Sequence, residues 1–165
     1  MNAYVLEREQ VIPRSRVETF RFFSDAFNLE RITPDFLRFR ILTERPAAIR
    51  AGTILDYELT LFGVRVRWRT LIEVWEPDSR FEDVQVKGPY KYWRHIHSFE
   101  TVDQSRTRMR DRVEYSMPFG VVGRIVHRIL VRRMLARIFD YRARAIVDLL
   151  SPAGAQVPDY DKDTL

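Results

Sequence analysis

The sequence predicts an α+β fold in which a curved, seven-stranded antiparallel sheet is crossed by one long C-terminal helix. Two patterns carry this expectation. Apolar and polar residues alternate with period two through most of residues 53–117, the signature of strands with one buried face. Apolar residues then recur at three- and four-residue steps over 121–150, the signature of a helix. Residues 1–150 read as a single domain, because no repeat or linker divides them, and 151–165 read as a disordered tail without periodicity.

In chain order, residues 4–12 (YVLEREQVI) form the first strand. Ser15 then caps a short helix, with Glu18 completing a capping box and Val17, Phe20, Phe23 and Phe27 spaced to pack inward. Residues 28–32 add a second helical turn that stops before Pro34. Residues 37–43 alternate as an edge-like strand, and Pro46 to Gly52 is a turn region. The next hairpin places Leu55, Tyr57, Leu59 and Leu61 on one face, turns at Gly63, and returns with Val64, Val66, Trp68, Thr70, Ile72 and Val74 inward. Pro77-Asp78-Ser79 turns the chain into strands at 80–87 and 91–102, which are separated by Gly88-Pro89. The last strand, 106–117, points Thr107, Met109, Asp111, Val113 and Tyr115 inward and four arginines outward. In the long helix, Val122, Ile125, Val126, Ile129, Leu135, Ile138, Ala145, Ile146 and Leu149 form the packing stripe. About thirty residues of helix span roughly 45 Å, enough to cross a sheet.

The stretch DVQVKGPYKYWRHIHSF, 83–99, is chemically the richest. Trp93, His95, His97 and Phe99 share one face, and Asp83 and Gln85 are expected to point the same way. If 103–105 is a three-residue turn, residues whose numbers sum to 208 face each other, which pairs His97 with Asp111 and Trp93 with Tyr115. Unpaired buried polar atoms cost about 1–3 kcal/mol each, so a face like this is either a satisfied polar pair in a core or the wall of a pocket.

Composition excludes several classes of function. There is no cysteine, hence no disulfide framework and no thiolate chemistry. MNAYVLEREQ carries no signal-type apolar run, and no stretch is apolar enough to span a membrane, so a cytoplasmic protein is expected. The net charge of +5 lies within the ordinary range for solubility and comes with no nucleic-acid motif, so no nucleic-acid partner is expected. No nucleophile elbow, phosphate loop or dinucleotide fingerprint is present, and no cofactor is expected.

The residues IPRSRVETFRFFSDAFNLERITP, FEDVQVKGPYKYWRHIHSFE and DRVEYSMPFG, in this order along 4–150, resemble the SRPBCC superfamily, and within it the bacterial ligand-binding branch. That superfamily includes START domains, the birch-pollen allergen family and polyketide cyclase-like proteins. The resemblance implies the helix-grip fold and a cavity between sheet and long helix for an apolar or aromatic small molecule.

The expected ligand-binding residues are Tyr57, Trp68, Asp83, Gln85, Trp93, His95, His97, Met109, Asp111 and Tyr115. Binding of a hydrophobic, ring-containing molecule is the first expectation, with a His–Asp hydrogen bond satisfying the polar end. The alternative is a cyclase, aromatase or dehydratase, with His97 or His95 and Asp111 as catalytic candidates and Tyr57 or Tyr115 as proton donor. A third reading docks the arginine-rich helix weakly on an anionic membrane or a partner. A His-x-His spacing also suits metal ligands, with Asp111 or Asp83 as the third ligand that would be needed, but a metal is not expected. The protein is read as a monomer or homodimer.

Overall fold

A computed structural model describes residues 3–44 and 48–151. The expected disordered tail beyond Ser151, and Pro46 and Ala47 of the expected turn, lie outside the described residues. Within them the elements are β1 (Tyr4–Ile12), α1 (Arg16–Phe23), α2 (Asn28–Arg31), β2 (Arg40–Ile41), β3 (Ile54–Leu61), β4 (Val64–Glu76), β5 (Arg80–Lys87), β6 (Tyr92–Asp103), β7 (Arg106–Ser116), α3 (Gly120–Val126) and α4 (Arg132–Leu150). The strands form one antiparallel sheet in the order β1-β7-β6-β5-β4-β3-β2, with α4 packed along its inner face. This is the α+β helix-grip arrangement.

Local chemistry sets the boundaries. Ser15 and Glu18 exchange both capping-box hydrogen bonds at the start of α1. Phe62 and Gly63, both at positive φ, make the two-residue hairpin that joins β3 to β4, a turn whose twist suits antiparallel strands. Along β6 and β7 the pairs are as expected, Trp93 opposite Tyr115, His97 opposite Asp111 and Phe99 opposite Met109, but the turn is not: Asp103 pairs with Arg106 across the two-residue turn Gln104-Ser105, and an irregularity at Val102 shifts the register by one to reach the same pairs.

Five further expectations are corrected. The strand expected over 37–43 shrinks to Arg40–Ile41, because Leu37 closes a 3₁₀ turn and Arg38 sits at φ 44, which breaks the extended run. Val17 is exposed, since α1 packs through Thr19 and Phe20 instead. Val64 is exposed at the hairpin end. A bulge between Ile72 and Val74 inserts Glu73 and reverses the alternation, so Trp75 rather than Val74 turns inward onto Phe20 and Phe81. The long helix is not uniform either. Residues His127–Val131 form a π-turn; before it Val122 and Ile125 are exposed while Gly123 is buried, within it Ile129 is exposed while His127 is buried, and Leu149 is exposed as well.

The core has two main parts. Trp68, Trp93, Val113 and Tyr115 of the sheet meet Leu135, Ile138 and Phe139 of α4. Ile12, Phe20, Phe81, Phe99 and Met109 meet Ile146. Burying side chains of this size contributes about 1.5–3 kcal/mol each. No helix among the described residues is long and apolar enough to cross a membrane.

Gly123 shows how tightly α3 is seated. A Cβ there would lie 2.0 Å from the carbonyl oxygen of Pro118. We expect Gly123→Ala to destabilise the fold by about 1–3 kcal/mol, the usual cost of overpacking, measured as a lower urea midpoint with an unchanged slope.

Candidate functional site

Between the sheet and α4 lies a cavity of about 150 Å³, lined by Tyr57, Trp68, Trp93, Asp83, His95 and His97 among the expected residues. The rings are packed edge to face or nearly stacked. Trp68 meets Trp93 at 5.1 Å between centroids and an 86° angle, and Tyr57 lies over Trp68 at 5.9 Å. α4 supplies Leu135, Ile138, Phe139 and Arg142 to the opposite wall.

Four expected residues have other positions. Gln85 does not line the cavity: its amide donates to the Tyr90 carbonyl at 2.7 Å and accepts from the Tyr90 N–H at 3.2 Å, which clamps the Gly88-Pro89 turn. Met109 is fully buried in the second core cluster. The Tyr115 hydroxyl pairs with His127 Nε2 at 2.9 Å, and Tyr4 stacks on the same imidazole at 3.5 Å. Asp111 stands behind the histidines rather than on the cavity wall.

The polar end is built on three neighbouring strands, with His95 and His97 on β6 between Asp83 of β5 and Asp111 of β7. His95 Nε2 lies 2.9 Å from Asp111 Oδ1 with hydrogen-bonding geometry. His97 Nδ1 lies at the same distance from that oxygen but makes no hydrogen bond. The partner of Asp111 is therefore His95, its diagonal neighbour, although His97 is directly opposite it in the register. Phe81, stacked on His97 at 4.2 Å, and Phe23 at 6.1 Å hold that ring at its angle. On the cavity side, Asp83 Oδ2 lies 3.7 Å from His95 Nδ1 and 3.5 Å from His97 Nε2.

The two imidazoles respond oppositely to this setting. Burial and the neighbouring ring push the His95 pKa down. For His97, burial also acts downward, but Asp111 and Asp83 outweigh it and the pKa is raised. The Asp111 carboxyl opposes its own burial through both imidazoles and lies well below the ordinary carboxylate range. Burial pushes the Tyr57 hydroxyl, which is paired with Thr70 at 2.7 Å, far above its usual range.

Several lining residues escaped the reading of the sequence. Trp75 was hidden by the bulge, and Tyr90 by its place in a turn. Arg142 was grouped with the solvated arginines of the helix, yet it lines the cavity and its Nε has no hydrogen-bond partner. A one-turn count would have found it, since Arg142 stands four residues after Ile138 and four before Ile146 on the packing stripe.

Asp111 is the anchor of the polar end. Asp111→Ala is expected to lower stability by about 1–3 kcal/mol, the range for leaving a buried hydrogen-bonding group such as His95 Nε2–H without its partner, read as a loss in denaturant midpoint.

The sequence pattern of the family described as "Polyketide cyclase / dehydrase and lipid transport" matches residues 12–139. No curated protein matches the chain in sequence. Among solved structures, the Zhui aromatase/cyclase from Streptomyces sp. R1128 superposes with a TM-score of 0.75 at 12% identity, covering 94% of this chain and 100% of that one. A START superfamily protein from Mycobacterium smegmatis gives 0.67 at 12% identity, with 88% and 96% covered. Norcoclaurine synthase from Thalictrum flavum, in complex with dopamine and hydroxybenzaldehyde, gives 0.63 at 15% identity, with 92% and 90% covered. Identities this low speak for the shared fold alone, whereas the family pattern spans most of the sequence and ends on α4 at Phe139, so the chain belongs to the polyketide cyclase/dehydrase and lipid transport family of the SRPBCC superfamily.

Proposed function

We propose that this protein binds a hydrophobic, ring-containing small molecule in the cavity under α4, with the polar group of the ligand directed at Asp83, His95 and His97. The observation that carries this reading is the cavity itself: about 150 Å³ of space among indole and phenol rings, closed at one end by titratable groups. Native interiors are close-packed, so an interior void of this size forgoes packing energy that a ligand restores. An apolar void of roughly 150 Å³ accepts a single benzene-sized ring. Norcoclaurine synthase, of the same fold, is known in complex with two single-ring molecules.

Binding is favoured over turnover by the state of the two phenols. Tyr57 already has a protein partner in Thr70, and Tyr115 is paired with His127 away from the cavity wall, so neither phenol is aimed at a bound molecule by an otherwise unpartnered hydroxyl.

The test is a titration of the purified protein with toluene and with phenol, followed by ligand-observed NMR and by the rise in melting temperature that ligand binding produces. Both are expected to bind, phenol more tightly. Ala26 is buried and lines the void, and Ala26→Phe would fill it. That variant is expected to keep its fold by circular dichroism and to lose binding of both. Unchanged binding by Ala26→Phe would overturn the reading.

A further inference from the structure

The polar end of the cavity has a property that ligand binding does not explain. The hydrogen bond from His95 Nε2–H to Asp111 leaves His95 Nδ1 as an unprotonated acceptor. That lone pair faces Asp83 Oδ2 at 3.7 Å, and His97 Nε2 faces the same oxygen at 3.5 Å. One donor atom from each of these three residues lies within 4.8 Å of the other two. Each of the three residues lines the cavity, so the converging atoms border open space rather than packed core, and His97 Nδ1 on the far side of its ring is a buried polar atom without a hydrogen-bond partner.

We propose that Asp83, His95 and His97 form a binding site for a divalent first-row transition ion, with Asp111 positioning the His95 imidazole from behind. Two imidazoles and one carboxylate suit Zn²⁺, Co²⁺ or Fe²⁺ and leave coordination positions open. A carboxylate behind a ligating imidazole is the usual device for fixing ring orientation and tautomer. Asp83, His95 and His97 all line the cavity and Asp111 does not, so the open positions face the bound molecule. This departs from the expectation drawn from the sequence. Period two places His95 and His97 on one strand face, but the third ligand comes from β5 and the orienting group from β7, and those distances exist only in the folded sheet.

The experiment uses the full chain, stripped with a chelator and dialysed, and the metal alone. Zn²⁺ is titrated by calorimetry, and Co²⁺ is followed by its visible d–d absorption. One equivalent of Zn²⁺ is expected to bind and to raise the melting temperature, with Co²⁺ giving the spectrum of a site that includes nitrogen ligands. Asp83→Asn and His97→Gln are each expected to weaken Zn²⁺ by at least about 10–100-fold, the loss found even for partners behind the ligands. Asp111→Asn, as a positioning change, is expected to lower affinity within that range while keeping the one-to-one stoichiometry. His127→Gln, at the histidine remote from the cavity, is expected to leave binding unchanged. Circular dichroism on Asp83→Asn, whose side chain is the least buried of the four, separates a lost ligand from a lost fold. Absence of Zn²⁺ binding by the wild type, or equal affinity in a folded Asp83→Asn, overturns the proposal. Toluene binding is independent of both results and reports on the cavity alone.

Discussion

One helix has to cover the inner face of a seven-stranded sheet, and the rest of the molecule follows from that mismatch. α4 seats its side chains in two places. Leu135, Ile138 and Phe139 pack on Trp68, Trp93 and Tyr115, and Ile146 packs on Phe20, Phe81 and Phe99. Between these anchors the sheet curves away, and α1, α2 and the turn between them bring Phe23, Leu29 and Ala26 to the cavity. The gap is therefore a consequence of architecture, and large rigid rings keep it from collapsing because they cannot fold into it.

The interior also holds charge, and the way it does so differs between the two faces of β5 and β6. On the outer side Glu82 is buried but answered directly by Arg94 at 2.7 Å and Arg80 at 3.2 Å. Further along the outer face Arg110 bridges Glu9 and Glu100, in a ladder open to water. Exposed pairs of this kind contribute little each, but they keep that face solvated. On the inner side the ion-pair partners of Asp83 and Asp111 among the described residues are imidazoles. Carboxylates are thus matched by guanidinium groups on one face and by imidazoles on the other, and the difference is access to water.

Much of this was legible in the sequence, for a definite reason. Alternation holds along 92–101 and 107–115, so an assumed three-residue turn brought His97 opposite Asp111 and Trp93 opposite Tyr115; the actual turn is the two residues Gln104-Ser105, and the irregularity at Val102 supplies the missing residue and gives the same register. The same logic failed where other local irregularities intervened. Glu73 reversed the phase and hid Trp75, the positive φ of Arg38 cut a strand to two residues, and the π-turn after Val126 left Val122 and Ile125 in water. Gln85 was assigned to the correct side, but the Gly88-Pro89 turn consumed its amide. Which imidazole takes the Asp111 hydrogen bond depends on ring angles set by Phe81 and Phe23, and strand periodicity carries no information about angles.

The extra residue in β4 has a consequence for reading kinship. Upstream of Glu73 the even-numbered side chains of this strand face the interior, and downstream the odd-numbered ones do. A relative that lacks the insertion keeps one parity throughout. Column-by-column comparison of the two would then match an interior indole with a solvent-side group, and would report divergence where the walls are alike. Such a comparison has to change phase at residue 73, and only coordinates say so.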